Sequence, residues 1–192
     1  MTSPVRRGGA ALLIAALLLV ITTVVEWGQL GHPATRDGAF WAFLILFWLS
    51  ALAFAASGML LAASGITGRP VLGRVGFIVF GALWLVGEGV FYPIGQYLAP
   101  SDGVRLVSTA LTVLALVGLL LAGIEVARRG VAQGAARWAL IAAVVLSVVT
   151  GAIAGTTSDA PAITVLHLIS ALGLALVGLS YLMSRRAAAV AA

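Results

Sequence analysis

Six apolar runs alternate with short polar gaps along the chain, at about residues 10–27, 39–63, 74–97, 104–126, 138–155 and 162–183. At about 1.5 Å of rise per residue, helices of this length reach across a hydrocarbon core ~30 Å thick. The pattern predicts an all-α fold: a polytopic membrane protein, a bundle of six transmembrane helices joined by short loops and forming one transmembrane domain over residues 1–192. The first run is expected to persist as a helix and not to be cleaved as a signal peptide. Its end, Ile21 to Trp27, offers no small-x-small cleavage site. In the second run Ser50, Ser57 and Ser64 recur every seven residues beside Gly58 and Ala62, which predicts a close-packing face. The fifth run ends in a small-residue pair, Gly151 and Gly155. Asp37, Asp102 and Asp159 each stand near the start of an even-numbered run and are expected to cap its helix.

Composition agrees with this reading. Of 192 residues 62% are hydrophobic and 9% charged, and the mean hydropathy is +1.16; a soluble domain carries about a quarter charged residues. The net charge of +5 comes from arginine alone. Those arginines fall in short loops and form no basic stripe, which excludes a nucleic-acid footprint. There is no cysteine, so disulfides and thiolate metal sites are excluded. If six helices alternate, Arg6, Arg7, Arg69, Arg74, Arg128, Arg129, Arg137, Arg185 and Arg186 share one side, and Arg36 and Arg105 the other. The positive-inside rule then places both termini in the cytoplasm. Arginine without lysine, in a background rich in Ala, Gly, Val and Leu, points to the inner membrane of a bacterium with GC-rich DNA.

One ionisable residue has apolar sequence on both sides. Glu88 lies between Gly87 and Gly89 inside the third run, with Pro93 five residues on. A carboxylate at membrane depth costs several kcal/mol and marks a pairing or functional site. On a regular helix Trp84, Glu88 and Tyr92 share a face, and Pro93 leaves the carbonyl of Gly89 without its usual donor. Glu26, Arg105, Thr109, Thr112 and His167 are assigned by depth to the same, outer half, with Thr22, Gln29, Ser108, Ser147, Thr150, Thr164 and Ser170. The inner half holds little comparable, as expected of a polar pocket open to the outside. Arg105 and His167 are the cations at the right depth for Glu88, so helices three, four and six are expected to meet there. Each residue also has a plainer reading. The hydroxyls bond their own helix, Arg105 pairs with Asp102, and Glu125 forms a surface pair with Arg128 and Arg129.

Several chemistries find no support in the spacing. There is no HxxxH or HExxH for a metal among Glu26, His32, Glu88 and His167, no GxSxG, and no GxxxxGK[ST] loop. Retinal as a Schiff base needs a lysine that the chain lacks. No cofactor and no catalytic or metal-binding residue is predicted, and self-sufficient enzyme activity is disfavoured. The run Gly89, Val90, Phe91, Tyr92, Pro93 late in span three, with Leu166 and His167 early in span six, resembles bacterial six-helix integral membrane proteins of unknown function. That resemblance implies a fold and no activity. Two functions are expected: binding or transport of a small ligand or proton through an outward pocket, or service as an accessory subunit of a membrane complex. The partners expected are the lipid bilayer, a small-molecule ligand or a membrane protein.

Overall fold

The computed structural model describes residues 4–29, 37–68, 71–129, 132–157 and 159–183, apart from the side chains of residues 28 and 29. His32, Arg36, Arg69, Ser158, Arg185, Arg186 and the side chain of Gln29 lie outside this description. The described chain is helical throughout: α1 (Pro4–Gln29), α2 (Gly38–Ala63), α3 (Val71–Val86), α4 (Asp102–Arg129), α5 (Ala136–Ala154) and α6 (Ala160–Met183). Two π-helical turns, Gly87–Phe91 and Ile94–Leu98, carry α3 onward, so the third span runs Val71–Leu98. All six are long and apolar enough to cross a membrane. Their outward surface is apolar as well: Leu52, Val113 and Leu176 are 53%, 54% and 65% exposed. Water would not tolerate so much greasy surface, whereas lipid favours it.

The helices pack in a closed ring, each on its neighbours in sequence, with α6 closing on α1. Phe54, Phe77, Phe80, Leu119, Leu140 and Leu174 fill its interior. Among the described residues no helix packs on one across the ring. The expected meeting of the third, fourth and sixth helices therefore does not occur: α3 lies between α2 and α4, and α6 between α5 and α1.

One end of the ring is closed by backbone contact. A Cβ on Gly76 would lie 2.5 Å from the carbonyl oxygen of Gly118, and one on Gly178 would lie 2.8 Å from that of Gly9. Only glycine lets α3 approach α4, and α1 approach α6, this closely. The arginines then tie the same end. Arg6 Nε donates to the carbonyl of Leu182 at 3.1 Å, Arg74 Nε to Ala62 at 3.3 Å, and Arg137 Nε to Ala127 at 2.5 Å. Each odd helix thus offers a cation from its first turns to orphan carbonyls at the end of an even helix. This satisfies acceptors that have no intrahelical donor and complements the helix dipole.

The expected face of α2 is partly borne out. Ser50 donates across to the carbonyl of Ala15 at 3.1 Å, Gly58 meets the α3 backbone at Phe77, and Ser57 bonds its own helix. Gly151 and Gly155 face no other helix. Asp37 caps α2 by accepting the Phe40 N–H at 3.0 Å. Asp102 instead opens α4 and takes Arg105 at 2.6 Å, while the Ser101 carbonyl receives the Arg105 N–H. At Asp159 the recorded acceptor is the backbone carbonyl, bonded by Ile163. Glu125 is not a surface residue: its side chain is 9% exposed beneath Arg129 at 3.3 Å.

Candidate functional site

The polar groups at the end opposite the arginines are held by side chains rather than backbone crossings. The local cause lies in Gly87, Glu88, Gly89 and Pro93. Pro93 has no N–H, so the α-helical ladder is broken at that point. The chain widens into π turns, with the Tyr92 N–H donating to the Gly87 carbonyl. Ser108 Oγ of α4 adds a second donor to that oxygen at 3.0 Å. Gly87 sits against Leu111 of α4 and Gly89 against Ala51 of α2, each with a notional Cβ at 3.0 Å from its neighbour. Glycine on both sides of Glu88 lets the widened turn lie between two helices.

The π turns change the expected register. Trp84, Glu88 and Tyr92 do not share a face. Trp84 packs on Phe54 and Phe80, with centroids at 5.0 and 5.6 Å. Glu88 turns to α4 and accepts the Thr112 hydroxyl at 2.5 Å. Tyr92 turns the other way, stacks on Phe47 at 5.4 Å and donates its hydroxyl to Glu26 Oε1 at 3.0 Å. π turns inside helices recur at functional sites because they redirect side chains in this manner.

Glu26 is the hub of the cluster. The Tyr97 hydroxyl donates to the same oxygen as Tyr92. Tyr97 meets Phe43 edge-on at 5.3 Å and Phe40 at 6.3 Å, so rings from α2 wall the carboxylate. The π turn that carries Glu88 ends at Tyr92, which bonds Glu26, and His167 stands on α6, which packs on α1. Glu88 and Glu26 are partly buried and His167 is exposed.

Arg105 stands apart, its guanidinium on Asp102 and its side chain 49% exposed. Among the described residues no arginine pairs with Glu26 or Glu88. Thr109 bonds only its own helix, at the Arg105 carbonyl, as Thr22, Thr150 and Thr164 bond theirs. Ser147 and Ser170 link α5 to α6 at 2.7 Å. No three His or acidic side chains converge on a metal position among the described residues. A concavity of about 380 Å³ opens at the arginine end, lined by Arg6, Arg7, Ala10 and Leu182, and does not touch Glu88. Sequence reasoning missed Tyr97, and the signal was available: it lies five residues after Tyr92, the repeat of a π turn and not of an α turn. No known protein family, curated protein or solved structure matches this chain.

Proposed function

We propose that this multi-pass membrane protein binds a proton or a small cation at Glu26 and Glu88, with Tyr92, Tyr97 and Thr112 positioning the two carboxylates. The supporting observation is their joint environment. Two acids on different helices are joined through one π turn, which carries Glu88 and ends at the Tyr92 that bonds Glu26, their recorded donors are neutral hydroxyls, and the described arginine at this end is committed to Asp102. Two acids at membrane depth with no cation paired to them among the described residues are costly as anions, and a bound proton or cation removes that cost. His167 lies on the α6 side of Glu26 and is the candidate for exchanging protons with it.

Infrared difference spectra of the purified protein during a pH titration test this reading. A protonated-carboxyl band is expected that sodium or guanidinium diminishes and that Glu26→Gln and Glu88→Gln each alter. A titration unchanged in both variants refutes it. The accessory-subunit reading would then lead; it is favoured by the tight ring packing around Glu26 and by a concavity that lies elsewhere.

The proposed setting is a bacterial inner membrane with the arginine end cytoplasmic. Cysteine is absent from the chain, so single introduced cysteines report topology cleanly. Ser101→Cys should react with an impermeant external reagent and Gln133→Cys should not; the reverse pattern inverts the orientation.

A further inference from the structure

We infer that the notch between the start of α1 and the end of α6 is a binding site for a phosphate ester, a function separate from the carboxylate site. Its geometry is a cationic rim over an apolar floor. Arg6 and Arg7 line it from the first turn of α1, together with Ala10 and Leu182. Arg6 is not a loose surface side chain: its Nε is held by the Leu182 carbonyl at 3.1 Å, which fixes the guanidinium at the mouth. The floor is kept in place by the close α1–α6 crossing at Gly9 and Gly178.

Two adjacent guanidiniums in the opening turns of a 26-residue helix add to the positive end of its dipole and favour an anion there. Guanidinium matches phosphate oxygens in a two-pronged geometry that a point charge lacks. The volume of about 380 Å³ falls in the ~300–1,000 Å³ range of small-molecule clefts and suits a headgroup better than a bare ion. Ala10 and Leu182 offer a glycerol backbone and the root of an acyl chain an apolar surface to lie against. An anionic phospholipid satisfies both halves of the notch, and a soluble phosphate satisfies the rim alone.

Native mass spectrometry of the full chain released from nanodiscs reads the site. The discs contain phosphatidylcholine, with or without phosphatidylglycerol. The wild-type protein should retain phosphatidylglycerol preferentially, and Arg7→Gln should lower that retention about tenfold. Arg7→Lys, which keeps the charge and loses the fork, should give an intermediate value and guards against a folding artefact. Arg128→Gln is the control. That arginine is exposed at the same end but outside the notch, so its loss should leave retention unchanged. Inorganic phosphate added to discs of phosphatidylcholine alone separates the two sources: thermal stabilisation lost in Arg7→Gln assigns the rim to soluble phosphate, and its absence assigns the site to lipid. Equal losses for Arg7→Gln and Arg128→Gln, or no preferential retention, would overturn the inference in favour of diffuse attraction at the interface.

Discussion

The two ends of the ring are held together in opposite ways. At the arginine end the helices meet backbone to backbone, at Gly76 with Gly118 and Gly9 with Gly178. Three arginines close it by donating to main-chain carbonyls. At the acidic end, beside a backbone approach of Gly95 to Arg105, side chains join the helices to one another: Tyr92 and Tyr97 to Glu26, Thr112 to Glu88, Ser147 to Ser170. Bonds to backbone carbonyls have one geometry and no protonation state to change. Hydroxyl–carboxylate bonds can be rearranged by one proton or one cation. The difference teaches that the arginine end is a static clasp, able to seat an anion without rearranging, and that chemistry able to respond to a proton or a cation lies at the other end.

If that contrast is right, the largest loss of stability should come from the clasp. Gly76→Leu forces a side chain into backbone atoms that cannot rotate away. We expect a cost above about 3 kcal/mol, seen as loss of monodisperse protein in detergent. A stable, monodisperse variant would show that the two helices can separate at this end. Next in size is Tyr92→Phe with Tyr97→Phe, which leaves Glu26 without both recorded hydroxyl donors. About 1.5–3 kcal/mol is expected for hydrogen bonds to a charged group, read by thermal unfolding. The double change should cost more than the sum of the singles, because either hydroxyl alone still satisfies the shared oxygen. Full additivity would argue against a shared acceptor.

The six spans were legible because length and hydropathy dictate them. Each predicted run lies within a few residues of its helix, and the helices run past the apolar stretch where Arg6, Arg7, Arg128 and Arg129 carry them into the interface. Glu88 was legible as the anomalous residue, but its partners were not. Reading α-helical spacing through Pro93 placed Trp84, Glu88 and Tyr92 together, whereas the π turns send them to three different neighbours. The pairing of charges by depth failed for a related reason. Counting along the chain put Arg105 and Glu88 at similar depths, yet Arg105 takes its i, i+3 partner Asp102 at no cost in chain ordering. Glu26, one of several groups assigned by depth to the outer half, is the hub. The arginine caps were hidden in plain view, since sequence shows the sign of a residue and not which carbonyl it reaches.

A smaller effect sharpens the comparison from the clasp side. Arg137→Gln removes one cap from α4, and about 0.5–1 kcal/mol is expected for a cation near a helix C-terminus. Combined with Arg74→Gln, the losses should add, because the two caps serve different helices. Neither change should alter carboxyl titration. A shift in titration from either variant would mean that the two ends communicate, and the division into clasp and responsive end would fail.

The smallest expected effect is at Arg105. Its pair with Asp102 is an exposed i, i+3 contact, with side chains 49% and 95% accessible. Such pairs contribute about 0.2–1 kcal/mol or nothing measurable. Arg105→Gln should therefore leave thermal stability nearly unchanged, and the carboxyl titration should be that of the wild type. The second half carries more weight, because Arg105 is the described arginine at this end of the ring. If Arg105→Gln altered the titration as much as Glu88→Gln, the guanidinium would have to leave Asp102 and act as the counter-charge of the acids. The carboxylates would then have a resident cation and no need of a proton or a ligand in its place. The contrast between the ends would reduce to two sets of ordinary ion pairs.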